Sequence, residues 1–472
     1  MLRYHRHGSY LLLFLVTTIL ATSGRGVCQC RQDQSAALLH LKDSFRFHTS
    51  VSESYDDPCS SFPLKEQDLS SWKVDTNCCT WEGVTCDGAS GYVTSLDLSR
   101  LCISGNLSSS DILKLTSLRF LSLAYNNFSE SPWPSPGFEK LTDLKYLNLS
   151  YSGLSGDVPV KNEQLSNLVT LDLSGLDLKD LNFETLIDSL GRLQKLNLDR
   201  ATFSFSPTDS ALASSANTTS GLKELSMHWC VITGGGSFHT ILTKFPFLSN
   251  LVLAAPSELD VTNLTLDALI VNLGSLQKLY LEAVYIPLSL TRSVHTSTNT
   301  TPGLKELIMK NCGLTGTFPS WIFRIKSLKT LDVSENDNLY GELPEFKHDS
   351  TLKVLNLSNT NFSGKIPESV SNLQNLTILD LSYCQFHGPV PPFTHQWTKI
   401  RVVDLSNNNL NGSLPSHGYL PLHSLNILIL RNNSIGGEIP ASLFFHPSLA
   451  SLDLSQNNFT GYFLLYPNAS LN

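Results

Sequence analysis

Charged residues are scarce in this chain. Only 16% of its 472 residues are Asp, Glu, Lys or Arg, and the formal net charge is -8. A basic surface for nucleic acid is therefore not expected, and neither is a highly charged chain that stays unfolded. Long apolar runs are also missing after residue 26, so no membrane-spanning helix is predicted within the chain.

Motifs for catalysis, nucleotide binding and metal binding are absent as well. The sequence has no CxxC, no HExxH, no Gly-x-Ser-x-Gly and no kinase-type loop. The glycines at 234–236 are not followed by Lys-Ser or Lys-Thr, so they predict a turn and not a phosphate-binding loop. We therefore predict a protein that is not an enzyme and that has no cofactor and no metal.

The first 26 residues have the composition of a secretory signal peptide. A basic start with Arg3 and Arg6 precedes an apolar stretch from Tyr10 to Leu20, and small residues follow up to position 26. About ten apolar residues are too few to cross a bilayer, which needs roughly 20. We predict that residues 1–26 are cleaved and that the chain enters the secretory pathway; an uncleaved anchor is the alternative.

A long internal repeat dominates the remaining sequence. Apolar residues recur at positions 1, 4 and 6 of each unit, as at Leu376, Leu379 and Leu381, and the alternation at positions 4 and 6 indicates a strand. One strand per unit predicts a solenoid with a parallel sheet. The 15 units, mostly 24 to 29 residues apart, open at Val93, Leu118, Leu144, Leu168, Leu193, Leu222, Leu248, Leu276, Leu304, Leu328, Leu352, Leu376, Ile400, Leu425 and Leu449.

Position 9 of the unit is asparagine, cysteine, threonine or a small residue. Asn126 and Asn408 are examples, and a buried amide there can bond backbone groups of the turn that leaves the strand. Cys230, Cys312 and Cys384 occupy the same position, so we predict buried thiols outside any disulfide. Seven units continue into Gly-x-x-Pro, for which we expect a tight bend and a second short strand.

A distinctive motif precedes the first unit. Leu69-Ser-Ser-Trp72 is followed by Cys78-Cys79-Thr-Trp81-Glu-Gly83-Val-Thr-Cys86. Over residues 27–472 the chain resembles the plant extracellular leucine-rich-repeat family, and within it receptor-like proteins of the disease-resistance type. The resemblance implies an α/β solenoid: a plant-type leucine-rich-repeat superhelix with a concave parallel β-sheet and an amino-terminal disulfide cap. The expected divisions are the signal peptide (1–26), the cap (27–92) and about 15 repeats (93–472), the last of them uncapped.

The cap should contain an amphipathic segment and two disulfides. The segment from Asp33 to Phe47 should be amphipathic, with Leu38, Leu41 and Phe45 on one face of a helix. By the same resemblance, Cys30 pairs with Cys78, and Cys79 pairs with Cys86. A further bridge between Cys28 and Cys59 stays open as a possibility, and Cys102 then lacks a partner. Sequence alone does not fix this connectivity.

Glycosylation signals indicate which surfaces sugars would cover. Asn148 and Asn356 lie at position 5 of their units, on the concave face, whereas the units that open at Leu168 through Leu328 carry no sequon on the strand. The middle of the concave face is therefore predicted to be bare. The thirteen Asn-x-Ser/Thr sequons are Asn106, Asn127, Asn148, Asn217, Asn263, Asn299, Asn356, Asn361, Asn375, Asn411, Asn432, Asn458 and Asn468.

The same middle units depart from the Leu-Asp-Leu-Ser strand of the regular units. Exposed aromatic residues mixed with charges are typical of binding hot spots. The competing interpretation is that these longer units have merely diverged and that their tryptophan packs against its neighbours. The outward residues that we predict to bind a ligand are Asp199, Arg200, His228, Trp229, Tyr280, Glu282 and Lys310.

The resemblance implies the ligand-binding ectodomain of a receptor-like protein that lacks a kinase and perceives defence or developmental signals. The expected ligand on the concave face is a peptide, a glycan or a protein, and the expected partner is a co-receptor kinase. A longer protein would lie in the plasma membrane and face the outside; otherwise the chain is secreted to the apoplast. The alternatives are a secreted inhibitor of a pathogen wall-degrading enzyme and a receptor-kinase ectodomain. Because the unit at Leu449 has no cap behind it, we expect further repeats to follow.

Overall fold

A computed structural model of the chain describes residues 29–47, 69–105, 111–129, 137–154, 165–204, 220–234, 244–256, 274–285, 303–391, 396–414 and 422–461, and the single residues Leu107, Phe238, Leu242, Leu259 and Leu269. The predicted signal peptide, Cys28, Cys59 and the sequons at Asn106, Asn217, Asn263, Asn299 and Asn468 lie outside the described residues.

The strands of successive units form one sheet, which we call the concave sheet. Its first strand, Val84–Cys86, is antiparallel to the second, and the other 15 follow in chain order as parallel neighbours. The fold is the leucine-rich-repeat solenoid that the sequence predicts. The parallel strands are Val93–Asp97, Phe120–Ser122, Tyr146–Asn148, Thr170–Asp172, Lys195–Asn197, Glu224–His228, Asn250–Ala254, Lys278–Glu282, Glu306–Lys310, Thr330–Asp332, Val354–Asn356, Ile378–Asp380, Val402–Asp404, Ile427–Ile429 and Ser451–Asp453.

The apolar positions of the repeat form the core between the sheet and the returning chain. Leu376, Leu379 and Leu381 have no exposed surface, whereas Ile378 and Asp380 between them face outward and are half-buried. Burying one leucine side chain contributes roughly 2 kcal/mol relative to leaving it exposed. Stacking the units therefore produces one continuous core along the array.

The asparagines at position 9 bond the backbone of two neighbouring coils. The Asn336 amide nitrogen donates to the carbonyl oxygens of Met309 and Val333 at 2.9 and 2.8 Å. Its side-chain oxygen accepts from the N–H groups of Cys312 and Leu314, both at 3.0 Å. The buried amide thus satisfies backbone groups that the turns would otherwise leave without partners.

The cysteines at position 9 are buried thiols that make the weaker version of the same contact. The Cys230 sulfur donates to the Leu198 carbonyl oxygen at 3.0 Å, and the Cys384 sulfur donates to that of Leu357 at 3.1 Å. Burial raises the pKa of Cys230 and Cys312 to about 12 and that of Cys384 to about 11. These thiols are therefore protonated and inert at physiological pH.

The residue at position 8 has a positive φ in every unit. This left-handed residue turns the chain out of the strand just before the buried position 9. A ring can lie across a glycine at this position, as Tyr151 does over Gly175. The residues are Arg100, Tyr125, Tyr151, Gly175, Arg200, Trp229, Ala255, Ala283, Asn311, Glu335, Asn359, Tyr383, Asn407, Asn432 and Gln456.

A second strand follows the turn in many coils. The glycine of Gly-x-x-Pro adopts positive φ, as Gly316 and Gly388 do at +89° and +85°. These strands form smaller parallel sheets: Thr315–Thr317, Asn336–Glu342, Thr360–Lys365, Gln385–Pro389 and Asn409–Asn411 in one; Asp177–Asn182, Thr202–Ser204 and Val231–Thr233 in another; and Gly436–Glu438 with Asn458–Thr460 in a third. The sheet at residues 177–233 forms without Gly-x-x-Pro.

Short helices fill parts of the return from one strand to the next. Among the helices whose bounds lie within the described residues, the α-helices are α1 (Gln32–Ser44), α2 (Phe183–Ser189) and α3 (Ala441–Phe444), and the 3-10 helices are Cys78–Thr80, Asp111–Lys114, Phe138–Lys140, Ile322–Arg324 and Glu368–Asn372. No helix among the described residues has the length and apolarity that a membrane span requires.

The cap covers the first coil with α1 and two disulfides. Leu38 and Leu41 on α1 are buried, as predicted, but the helix ends at Ser44. Phe45 therefore lies beyond the helix in extended backbone, although it is buried, and the following Arg46–Phe47 pairs antiparallel with Ile103–Ser104. The stacked rings of Trp72 and Trp81 fill the space below, with centroids 5.5 Å apart.

The disulfides of the cap agree with the resemblance, and one further cysteine corrects our expectation. Cys30 is bonded to Cys78, and Cys79 is bonded to Cys86. Cys102 is also in a disulfide, so the expectation that it lacks a partner was wrong. Its sulfur partner lies outside the described residues.

Candidate ligand-binding strip on the concave sheet

The regular strands use their concave polar groups internally. In these strands an Asp or Asn at position 5 accepts hydrogen bonds from the residue at position 7. The Asp380 carboxylate accepts from the Ser382 N–H at 3.0 Å and from its hydroxyl at 2.7 Å, and Asp332 binds Ser334 in the same way. A surface of this kind has already satisfied most of its own polar atoms.

The strands of residues 195–197, 224–228, 250–254, 278–282 and 306–310 lack the Asp-x-Ser pair. We call their outward side chains, with the position-8 residues that follow them, the central strip. Positions 5 and 7 read Asn197 and Asp199, then Ser226 and His228, Val252 and Ala254, Tyr280 and Glu282, and Ile308 and Lys310. The strip therefore presents aromatic, aliphatic and charged groups on adjacent strands.

Four of the predicted residues form a chain of contacts across the strip. The Asp199 carboxylate lies 3.2 Å from the His228 Nδ1 atom and accepts from the His228 N–H at 2.9 Å. The His228 ring meets the Tyr280 ring edge-on with centroids 5.6 Å apart, and the Tyr280 hydroxyl donates to the Glu282 carboxylate. Ser226, which the sequence analysis missed, donates its hydroxyl to Asp199 at 2.8 Å.

The small residue at position 7 of the intervening strand accounts for this contact. Ala254 is the register partner of both His228 and Glu282. Because alanine projects little above the sheet, the His228 and Tyr280 rings meet over it although their strands are not neighbours. A larger side chain at position 254 would separate the two rings.

An apolar row runs beside this contact chain. Val252, Tyr280 and Ile308 are register partners on three consecutive strands, and each is half-buried on the concave face. Position 5 holds Asp or Asn in most regular units, so apolar residues there were a signal that the sequence analysis could have used for Val252 and Ile308. The row gives the strip an apolar centre with charges at its border, which is the anatomy of a binding hot spot.

The charges of the strip have defined partners. Lys310 Nζ lies 3.2 Å from Glu335 Oε1, and this ion pair was not among the predicted contacts. Burial opposes the charged form of Lys310, but the hydrogen bond and charge of Glu335, with Glu282 nearby, raise its pKa. Burial also works against ionised Asp199, yet the hydrogen bonds and charge of His228 hold the Asp199 pKa below its usual value. Both groups are therefore charged at neutral pH.

Arg200 and Trp229 lie on the rim of the strip at position 8. The backbone N–H of Trp229 donates to the Ala254 carbonyl oxygen at 2.6 Å, and its side chain is 62% exposed. The interpretation that this tryptophan packs against its neighbours is therefore wrong. Arg200 is also exposed. The structure thus joins Asp199, His228, Tyr280 and Glu282, places Lys310 beside them, and leaves the two rim residues apart.

Asn148 and Asn356, the sequon asparagines at position 5 of the concave strands, lie on either side of the strip and make the hydrogen bonds typical of the regular strands. The Asn356 oxygen accepts from the Ser358 N–H at 3.0 Å, and its nitrogen donates to Asp332 at 3.2 Å. The Asn148 oxygen accepts from the Ser150 N–H at 2.9 Å. Sugar occupancy at these and the other sequons stays a prediction.

One group of side chains has the proximity of a metal site. The sulfur atoms of Cys30, Cys78, Cys79 and Cys86 lie within 4.8 Å of one another. The structure joins them in two disulfides, so no thiolate is left to bind a metal ion.

Comparison with known proteins agrees with this architecture. Residues 31–87 match the family described as Leucine rich repeat N-terminal domain, and residues 303–325, 351–373, 375–397 and 399–418 match Leucine Rich Repeat. The chain therefore carries a leucine-rich-repeat amino-terminal domain followed by leucine-rich repeats. This leucine-rich-repeat chain is 30% identical over 382 residues to Receptor-like protein 6 of Arabidopsis thaliana, a match that covers 78% of the chain. It is 36% identical over 200 residues, or 41% of the chain, to Receptor-like protein Cf-9 of Solanum pimpinellifolium. The resemblance to plant receptor-like proteins is therefore confirmed.

A solved structure shares the fold. The plant peptide hormone receptor RGFR1, in complex with RGF2, matches with a TM-score of 0.54 and 21% identity over 81% of this chain and 72% of that one. The matches to the two receptor-like proteins span only 30% and 23% of those proteins. The chain thus spans less than a third of the length of these two relatives.

Proposed function

We propose that this chain is the ligand-binding portion of an extracellular receptor-like protein that lacks a kinase and perceives a defence or developmental signal. Similarity to plant receptor-like proteins supports the class. The disulfide cap and the predicted signal peptide support the secretory route and an extracellular position, at the plasma membrane or in the apoplast. The protein binds and does not catalyse.

The central strip is the observation that carries the proposal. It combines an exposed tryptophan, an apolar row and charges with fixed partners, whereas most other strands of the sheet bond their position-5 side chain to the residue at position 7. Aromatic side chains in such a setting contribute most of the binding free energy at protein interfaces. A peptide is the favoured ligand class, since a structural neighbour is a peptide hormone receptor, and a co-receptor kinase is the proposed partner.

The experiment compares two aromatic double variants against a panel of secreted peptides, glycan oligomers and proteins. Trp229→Ala with Tyr280→Ala removes rings from the strip. Tyr340→Ala with Tyr383→Ala is the matched control, because these tyrosines are 51% and 61% exposed but lie among the regular units. Any panel member that binds the wild type should bind the strip variant at least about tenfold more weakly, and the control variant equally well. Equal losses in both variants would remove the strip from the proposal.

A further inference from the structure

Position 2 of the repeat, at the start of each strand, is basic or neutral in every unit. Seven of the 15 residues at this position are Lys or Arg and none is Asp or Glu, although the chain as a whole has a net charge of -8. The seven are Arg119, Lys145, Lys223, Lys305, Lys329, Lys353 and Arg401. All seven are exposed. We call this row the basic rim; it borders the concave sheet at the opposite end of the strands from position 8.

The basic rim is densest at three consecutive coils. The Lys329 N–H donates to the Lys305 carbonyl oxygen, and the Lys353 N–H donates to that of Lys329, both at 2.7 Å. Neighbouring strands lie about 4.8 Å apart, so the backbones of the three lysines lie along a line about 10 Å long, and their side chains extend from it. Arg401 continues the line after one threonine, Thr377.

The charge of these three lysines is not compensated within the described structure. Lys305 Nζ donates to Gln277 Oε1, a neutral oxygen, at 2.7 Å. Among the described residues Lys329 and Lys353 have no side-chain hydrogen bond or ion pair. Acidic groups nearby bind other cations: Glu306 lies 3.3 Å from the Lys278 ammonium group.

We propose that the basic rim binds a linear acidic polysaccharide, a polyuronate, with one carboxylate on each ring. Several like charges in line raise the local concentration of a polyanion and attract it from a distance. Gly303, Ser327 and Thr351 lie two residues before the three lysines, so this segment of the rim presents no large apolar side chain at that position to anchor a peptide. A row of positive charge without an apolar anchor suits a hydroxylated polyanion. The inference shares with the proposed function only the extracellular location, and it concerns a different surface.

Binding of short oligogalacturonates to the full chain tests the inference directly. The triple variant Lys305→Gln, Lys329→Gln and Lys353→Gln should bind about tenfold more weakly than the wild type, and added salt should weaken the wild type. The matched control, Lys140→Gln, Lys347→Gln and Lys365→Gln, removes three exposed lysines that are not in one row and should bind normally. Fully methyl-esterified oligomers, which lack the charge, should not bind.

Three outcomes would overturn the inference. The wild type fails to bind oligogalacturonate, the control variant loses as much affinity as the rim variant, or a poly-glutamate peptide binds the rim as tightly as the sugar. The last result would identify the rim as a surface for acidic peptides. The Trp229→Ala, Tyr280→Ala variant should retain oligogalacturonate binding, so failure of the strip proposal is distinguishable from failure of this one.

Discussion

The central strip and the regular strands at residues 330–404 share one core but differ on their concave faces. Both groups bury the apolar residues at positions 4 and 6, as Leu279 and Leu379 show. In the regular strands the Asp380 carboxylate bonds Ser382 within its own strand. In the strip the His228 ring reaches Tyr280 two strands away. The core specifies the fold of both regions. The residues at the outward positions decide whether the polar groups of a strand bond one another or are available to a ligand.

The largest expected effect tests what the two regions share. Asn336→Ala removes a buried amide that makes five hydrogen bonds to backbone groups of two coils. We expect the free energy of unfolding to fall by about 4 kcal/mol, measured by chemical denaturation. Cys312→Ala, at position 9 of the preceding unit, removes only a weak donor and should cost about 1 kcal/mol. Similar losses for both variants would mean that the asparagine is not a structural tie.

The second prediction uses the pH dependence of stability to distinguish Asp380, an acid of the regular strands, from Asp199, an acid of the strip. Burial, with the charge of the neighbouring Asp404, raises the pKa of Asp380 to about 6, against about 3.9 in an unfolded chain. Between these values the folded state holds a proton that the unfolded state has released. Stability should therefore fall as pH rises from about 4 to about 6, by up to about 3 kcal/mol. Asp380→Asn should reduce this fall in pH-dependent denaturation, and Asp404 and Asp172, whose pKa burial also raises, should account for the remainder.

Asp199 should show the opposite sign. Its folded pKa lies below the usual value, so its stabilising contribution is complete above the unfolded pKa and is lost as pH falls through the folded one. Asp199→Asn should therefore reduce the loss of stability below about pH 4. If both variants changed the profile in the same direction, the assignment of different environments to the two acids would be wrong.

A smaller effect compares two glycines of the second sheet. Gly388 and Gly316 both have positive φ, but a Cβ on Gly388 would lie 3.1 Å from Lys365 Cγ, whereas one on Gly316 would meet nothing within 4 Å. Each alanine substitution should cost about 1 kcal/mol for the backbone conformation. Gly388→Ala should cost a few tenths more if Lys365 cannot move. Thermal denaturation of both variants measures the difference, and a milder effect at Gly388 would contradict it.

The smallest effect concerns the border of the strip. Lys195 and Glu224 form an ion pair at 2.8 Å between two strip strands, and both side chains are more than 40% exposed. Glu224→Gln should lower stability by less than about 0.5 kcal/mol, because exposed pairs are screened by water and salt. A loss above about 1 kcal/mol, measured by the same denaturation, would show that the pair holds the strands together.

Much of the fold could be predicted from the sequence because the same pattern of strand and turn residues recurs in every unit. The spacing of Leu376, Leu379 and Leu381 defines the strand, and Asn408 at position 9 follows from the need to satisfy the turn. The strip was only partly predictable. Its exposed aromatics were visible in the sequence, but the contact of His228 with Tyr280 depends on the small Ala254 between them, and the pairing of Lys310 with Glu335 depends on register. Such cross-strand geometry is not encoded within one unit.

The most direct test of the central claim is a hydrogen–deuterium exchange footprint of the chain with a ligand found in the binding panel. The account predicts slower amide exchange on ligand addition in the strands Glu224–His228, Asn250–Ala254, Lys278–Glu282 and Glu306–Lys310, and unchanged exchange in the strands Val354–Asn356 through Val402–Asp404. Protection confined to the regular strands, with none in the strip, would contradict it.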